Sequence, residues 1–284
     1  MNKQFAKKIG TSLTVLFTGL TLAAMGAVAE EEHEHDHEGH VDALVYQSGG
    51  QVQMGLIDVE CAGGAGEPGC EDHGQLGNVY EAELEVEGTS PGQHGHSETP
   101  GFFSLPTGGQ AALDDIGGTL LPGNAAHTVD FVLAPNSLAS NTSILYWDGT
   151  GTSVSWGGVA NGEFFEIEGN AGSGGDLLGT SVLSGVVLDS TGANGGFDTH
   201  PEYHLEGDGA DPSAGFYAIF GVTNIAGLAS SDPWAVVFGY GLEDEEAHEM
   251  AVASIETVVP EPGTAILMGL GLVGLAARGR RAQA

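Results

Sequence analysis

Apolar residues along this chain gather in short strand-like runs separated by Gly, Pro, Asn and Asp. The runs fall at 41–47, 52–59, 79–86, 127–133, 143–147, 164–167, 185–188, 203–205, 216–222 and 234–238. About ten short strands joined by Gly-rich turns predict an all-β domain, a β-sandwich or jelly roll, rather than disorder. One segment breaks the pattern. Residues 242–256, LEDEEAHEMAVASIE, lack Gly and Pro and crowd acids into the first turn, where a helix dipole favours them. Ala247, Met250, Ala251, Ser254 and Ile255 make an apolar stripe at helical spacing. The segment is predicted as a C-terminal helix within an acidic linker over 242–259.

Two further apolar runs lie at the ends. Lys3, Lys7 and Lys8 precede an apolar run over 13–25, and Ala27-Val28-Ala29 then offers the small-x-small pattern that signal peptidase reads. Residues 1–29 are read as a signal peptide and set aside from the fold. At the other end, Pro260-Glu261-Pro262 leads into an apolar stretch over 264–277 and then Arg278, Arg280 and Arg281. That stretch is about 14 residues, short of the roughly 20 that a spanning helix needs. The arginines obey the positive-inside rule and would hold the tail in the inner membrane. This order of parts, over 260–284, resembles the PEP-CTERM sorting domain. The resemblance implies transient inner-membrane anchoring and removal of the tail by an exosortase near Pro-Glu-Pro. The body is then delivered to the cell surface, the outer-membrane exterior or the extracellular matrix.

Charge narrows the choice of partners. All six Lys and Arg residues lie in the two end segments. Of the 39 acids only Glu261 lies outside 30–259, so the body carries 38 acids and no Lys or Arg. Nucleic acid is excluded as a partner, because phosphate contacts need those cations, and anionic lipid is disfavoured for the same reason. Self-repulsion should destabilise the fold at low ionic strength, and salt or divalent cations would relieve it. Adaptation to a saline habitat accounts for the same acidity. Hydrophobic residues make up 41% of the chain, enough for one core of about 200 residues, placed at 41–241.

Cys61 and Cys70 stand in a Gly-rich loop. Export makes a disulfide the first reading. A thiolate site of Cys61, Cys70 and His73 is the alternative, since two thiolates and an imidazole suit zinc.

The histidines carry the main chemical lead. His33, His35 and His37 alternate with acids in the polar tail 30–40, and His40 follows. Positions two apart point the same way in an extended chain, so these imidazoles can converge on one ion. Asp198, His200 and His204 have even spacing, which would place them on one strand face, and Pro201 argues for an edge or an interrupted strand. His248 on the predicted helix stands one turn from Asp244 and Glu245. His94-Gly95-His96, near Glu98, reads either as a weak metal site or as an ordinary polar loop. Imidazole suits Zn2+ and other transition metals. Ca2+ fits less well, because Asp189, Asn194 and Asp198 do not match EF-hand spacing.

The segments GHVDALVYQ, LYWDGTG, GLASSDPWAVVFGYGL and EDEEAHEMA resemble a family of PEP-CTERM proteins whose genes are placed under the zinc-uptake regulator Zur. The resemblance implies a surface or periplasmic protein made during zinc shortage and able to bind zinc. His40, Asp42, Asp198, His200 and His248 fall in family-like segments. The family more often has His-x-His where this chain has Asp198-Thr199-His200.

Enzymatic readings find little support in the sequence. Gly179-Thr180-Ser181-Val182-Leu183 lacks the final Gly of a G-x-S-x-G elbow, and the body has no Lys or Arg for phosphate or oxyanion chemistry. The expectation is a non-enzymatic, exported metal binder. One folded site should lie around Asp198, His200, His204 and His248, with a looser tier in the His-rich tail. Signal peptidase and exosortase would be its processing partners. The alternative is a structural matrix protein that uses the tail only for delivery.

Overall fold

The computed structural model describes residues 42–56, 78–160 and 162–259. Strands β1 (Asp42–Ser48) and β2 (Gln51–Leu56) form a hairpin. Strands β3 (Val79–Glu87), β4 (His94–Ser97) and β5 (Gly101–Ser104) come next. Helix α1 (Gln110–Asp115), β6 (Ala126–Val132), β7 (Ile144–Trp147) and β8 (Gly157–Gly158) follow. The chain continues through β9 (Glu163–Glu168), β10 (Gly174–Leu178), β11 (Leu183–Ser190), β12 (Phe197–Thr199) and β13 (Glu202–Gly207). It ends with β14 (Gly215–Ile225), β15 (Trp234–Tyr240) and helix α2 (Glu245–Glu256).

These strands make two sheets. The small one has the order β12-β5-β1-β2, and the large one runs β10-β9-β13-β4-β3-β15-β14-β6-β11, with β7 and β8 attached beside β14. The main core lies between them. Val45, Met54 and Phe102 of the small sheet share one apolar cluster with Tyr80, Trp234 and Phe238 of the large sheet. This is the β-sandwich that the sequence predicts.

Strands β14 and β15 are buried on both faces, which is why they read as nearly continuous apolar runs. Tyr217, Ile219, Val236 and Phe238 face the sandwich core. Phe216, Ala218, Ala235 and Val237 face a second cluster with Ala247, Ala251 and Ile255 of α2. The opposite outer face, on the small sheet, packs Leu44, Tyr46 and Phe103 beneath Leu113 of α1.

The large sheet curls until its edges meet. Ser173, one residue before β10, accepts a hydrogen bond from the Val187 amide of β11, and its Oγ also lies 2.9 Å from the Val187 carbonyl. One hydroxyl thus stands in for a rung of the missing ladder.

Two short links carry the chain between the sheets: 98–100 joins β4 to β5, and 200–201 joins β12 to β13. They run side by side. The Tyr203 hydroxyl is 3.5 Å from the Pro100 carbonyl, and His200 Nδ1 is 3.3 Å from the Glu98 carbonyl.

All ten predicted runs are strands. Five further strands (β4, β5, β8, β10 and β12) and helix α1 go beyond the sequence reading. The second predicted run reaches past Leu56 into residues 57–59, which lie outside the described residues. Helix α2 starts at Glu245, where Asp244 caps it by accepting from the Ala247 amide at 3.1 Å. It is no free-standing linker, because Ala247, His248, Ala251 and Ile255 are buried against the large sheet. Among the described residues no helix is long and apolar enough to cross a membrane.

Candidate metal sites

The first cluster forms on the outer face of the small sheet. Asp42 opens β1 opposite Gly101 of β5, and β5 pairs on its other side with β12, whose end is followed by His200. The glycine is what lets the flanking side chains meet across the central strand. A methyl group at position 101 would stand 2.6 Å from His200 Nδ1 and closer still to Asp42 Oδ1. His200 Nε2 lies 3.8 Å from Asp42 Oδ1 and 3.5 Å from Asp198 Oδ1. With Nδ1–H directed at the Glu98 carbonyl, the Nε2 lone pair faces the two carboxylates. This is the arrangement that orients a metal-ligating imidazole. The ligand atoms of the three residues lie within 4.8 Å of one another. Ligands about 2.0–2.2 Å from one shared ion stand roughly 3–4 Å apart.

The second cluster lies on the outer face of the large sheet. His96 of β4 is the direct cross-strand partner of His204 of β13, and their rings stack at 4.8 Å and 19°. Both point away from the core that receives Tyr203 and Leu205. His94, two residues before His96, puts its ring 6.3 Å from that of His204. Glu87 at the end of β3 lies behind the pair, with Oε2 3.2 Å from His94 Nε2 and Oε1 3.6 Å from His96 Nδ1. Glu202 Oε2 is 3.3 Å from His204 Nε2. His96, Glu202 and His204 also bring ligand atoms within 4.8 Å of one another.

His248 stands apart from both. It is 2% exposed beneath α2. Its Nδ1 lies 2.9 Å from Glu83 Oε1 and 3.2 Å from Glu81 Oε1, and its Nε2 lies 3.1 Å from the Val237 carbonyl. Burial lowers its pKa, but the Glu83 hydrogen bond, the Glu81 charge and the Val237 carbonyl together raise it above the ordinary histidine value. Acceptors on both ring nitrogens suit the doubly protonated ring, so His248 acts as an internal cation.

The structure thus divides what the sequence reading placed in one site. The even spacing from Asp198 to His204 suggested one strand face, but the strand is interrupted at His200-Pro201 and its halves join different sheets. Asp198 and His200 meet Asp42, while His204 meets His96 and Glu202. His33, His35, His37, His40, Cys61, Cys70, Pro260, Glu261 and Pro262 lie outside the described residues. Glu202 and Glu87 carried no sequence signal, since strand register brings them in. The His94-Gly95-His96 alternation did carry one, because it puts both rings on one face of a strand.

The match to known proteins lies in the tail. Residues 258–281 match the PEP-CTERM protein-sorting motif. No characterised protein matches the sequence. The motif and the fold together define an exported, cell-envelope-targeted β-sandwich protein that exosortase processes.

Proposed function

We propose that this exported protein binds zinc or a similar transition metal in the cell envelope, that Asp42, Asp198 and His200 hold the ion, and that the protein is made when zinc is scarce. The observation that carries the reading is the meeting of these three side chains across Gly101, with the His200 ring oriented by the Glu98 carbonyl. His33, His35, His37 and His40 form a looser capture tier, and the role is binding rather than catalysis.

Calorimetry with zinc chloride at pH 7.5, on the full chain and on the double variant Asp198→Asn with His200→Ala, tests the assignment. The variant should lose one tight binding event and keep the weaker ones. Gly101→Ala should weaken the same event by about tenfold or more, because the methyl fills the cleft and displaces the ligands. The transcript should rise on zinc depletion. Zinc binding unchanged by the double variant overturns the site assignment. No zinc binding at all leaves delivery of a structural matrix protein as the function.

A further inference from the structure

We infer that His96, Glu202 and His204 form a second transition-metal site, which His94 flanks and Glu87 orients. The site rests on its own geometry and not on the Asp42–Asp198–His200 cluster. Its ligand class is the borderline divalent ions that prefer imidazole nitrogen, zinc and copper above all.

Four observations converge. First, His96 and His204 are direct partners in adjacent antiparallel strands, a position that holds two Cβ atoms about 4.5–5.5 Å apart and lets two rings share one ion. The backbone ladder fixes that spacing, so little side-chain freedom remains to be lost on binding. Second, Glu202 precedes His204 by two residues on the same strand face and places a carboxylate oxygen beside the His204 ring. The set of two imidazoles and one carboxylate is a recurring ligand combination for divalent transition metals that leaves coordination positions open to water. Third, Glu87 lies against Nδ1 of His96. A carboxylate behind one ring nitrogen fixes the tautomer and the ring plane, and it makes the other nitrogen a better ligand.

The fourth observation concerns His96 Nε2 itself. That atom is buried and has no hydrogen-bond partner among the described residues. A buried ring nitrogen left without a partner keeps its desolvation cost uncompensated. One ring nitrogen of His96 lies within 4.8 Å of ligand atoms of Glu202 and His204, so an ion bound there would give the ring a partner.

The test removes the competing ligands first. In the full chain, His33, His35, His37, His40, His73 and His200 are changed to alanine, and copper(II) is added as the probe. Electron paramagnetic resonance should show about one bound equivalent with nitrogen couplings from two imidazoles. His96→Gln with His204→Gln should abolish that signal, while the metal-free melting temperature stays at the parent's value. Glu87→Gln should keep the two-nitrogen pattern and weaken binding by about 10- to 100-fold, as expected for a positioning residue. The inference is overturned if the folded parent binds no copper, or if the signal survives the double glutamine change. The reciprocal chain, with His200 intact and His96 and His204 changed, reports on the first site alone. Failure of one site is therefore not mistaken for failure of the other.

Discussion

His127 is fully buried, with no hydrogen-bond partner for either ring nitrogen among the described residues. Phe102 and Phe197 pack against its ring at 5.9 and 4.5 Å. Burial holds its pKa down to about 3, against 6.5 for an ordinary histidine. The unfolded chain takes up a proton as pH falls through about 6.5, and the folded chain does not until about 3. Stability contributed by the neutral ring is therefore present above about 6.5 and is lost progressively as pH falls towards 3. His127→Leu should remove this dependence. Between pH 7 and pH 5 the parent should lose about 2 kcal/mol more unfolding free energy than the variant, read from urea titrations at each pH. Equal losses would show that the His127 ring is not kept neutral by the core.

At the scale of elements, helix α2 is held by an apolar stripe and one buried cation. Gly239 of β15 makes the cation's seat possible, because a methyl group there would stand 2.5 Å from a Glu83 oxygen. His248 has a raised pKa, so its contribution is fully present below the unfolded value near 6.5. It is lost as pH rises through the higher folded value. His248→Gln should destabilise the protein by about 1–2 kcal/mol at pH 6, discounted for the exposure of Glu81 and Glu83. The gap should shrink at pH 9, measured by thermal unfolding at both pH values. A constant gap would mean that packing alone accounts for His248.

The legible elements were those whose own residues declare them. Strands β14 and β15 are nearly continuous apolar runs, and α2 shows its acidic first turn and apolar stripe. Strand β4 was not legible as a strand, because HGHS has no large apolar or β-branched residue and its ordering comes from neighbours on both sides. The sites follow the same division. His200 and His204 were visible as candidate ligands. That they belong to different clusters depends on the sheet crossing at Pro201 and on strand register, which pairs residues remote in sequence and leaves no local trace.

For the molecule as a whole, the body's 38 acids face no Lys or Arg, and histidine is its only basic side chain. The melting temperature should rise by several degrees between about 10 mM and 500 mM sodium chloride, as the Debye length falls from roughly 30 Å to below 8 Å. Calorimetric scans at fixed pH check this, and a flat profile would mean that self-repulsion does not limit stability. The end of the fold adds a constraint of another kind. Val259 is 4% exposed and packs in the cluster under α2, although the sorting motif begins at residue 258. The apolar stretch starts at 264, and a chain from 259 to 264 reaches at most about 18 Å. While that stretch sits in a bilayer, the body is on a leash of about two Debye lengths at physiological salt, facing anionic headgroups with its own negative charge. Exosortase processing of the tail would release that leash, and the body's negative charge would then disfavour its return to an anionic surface.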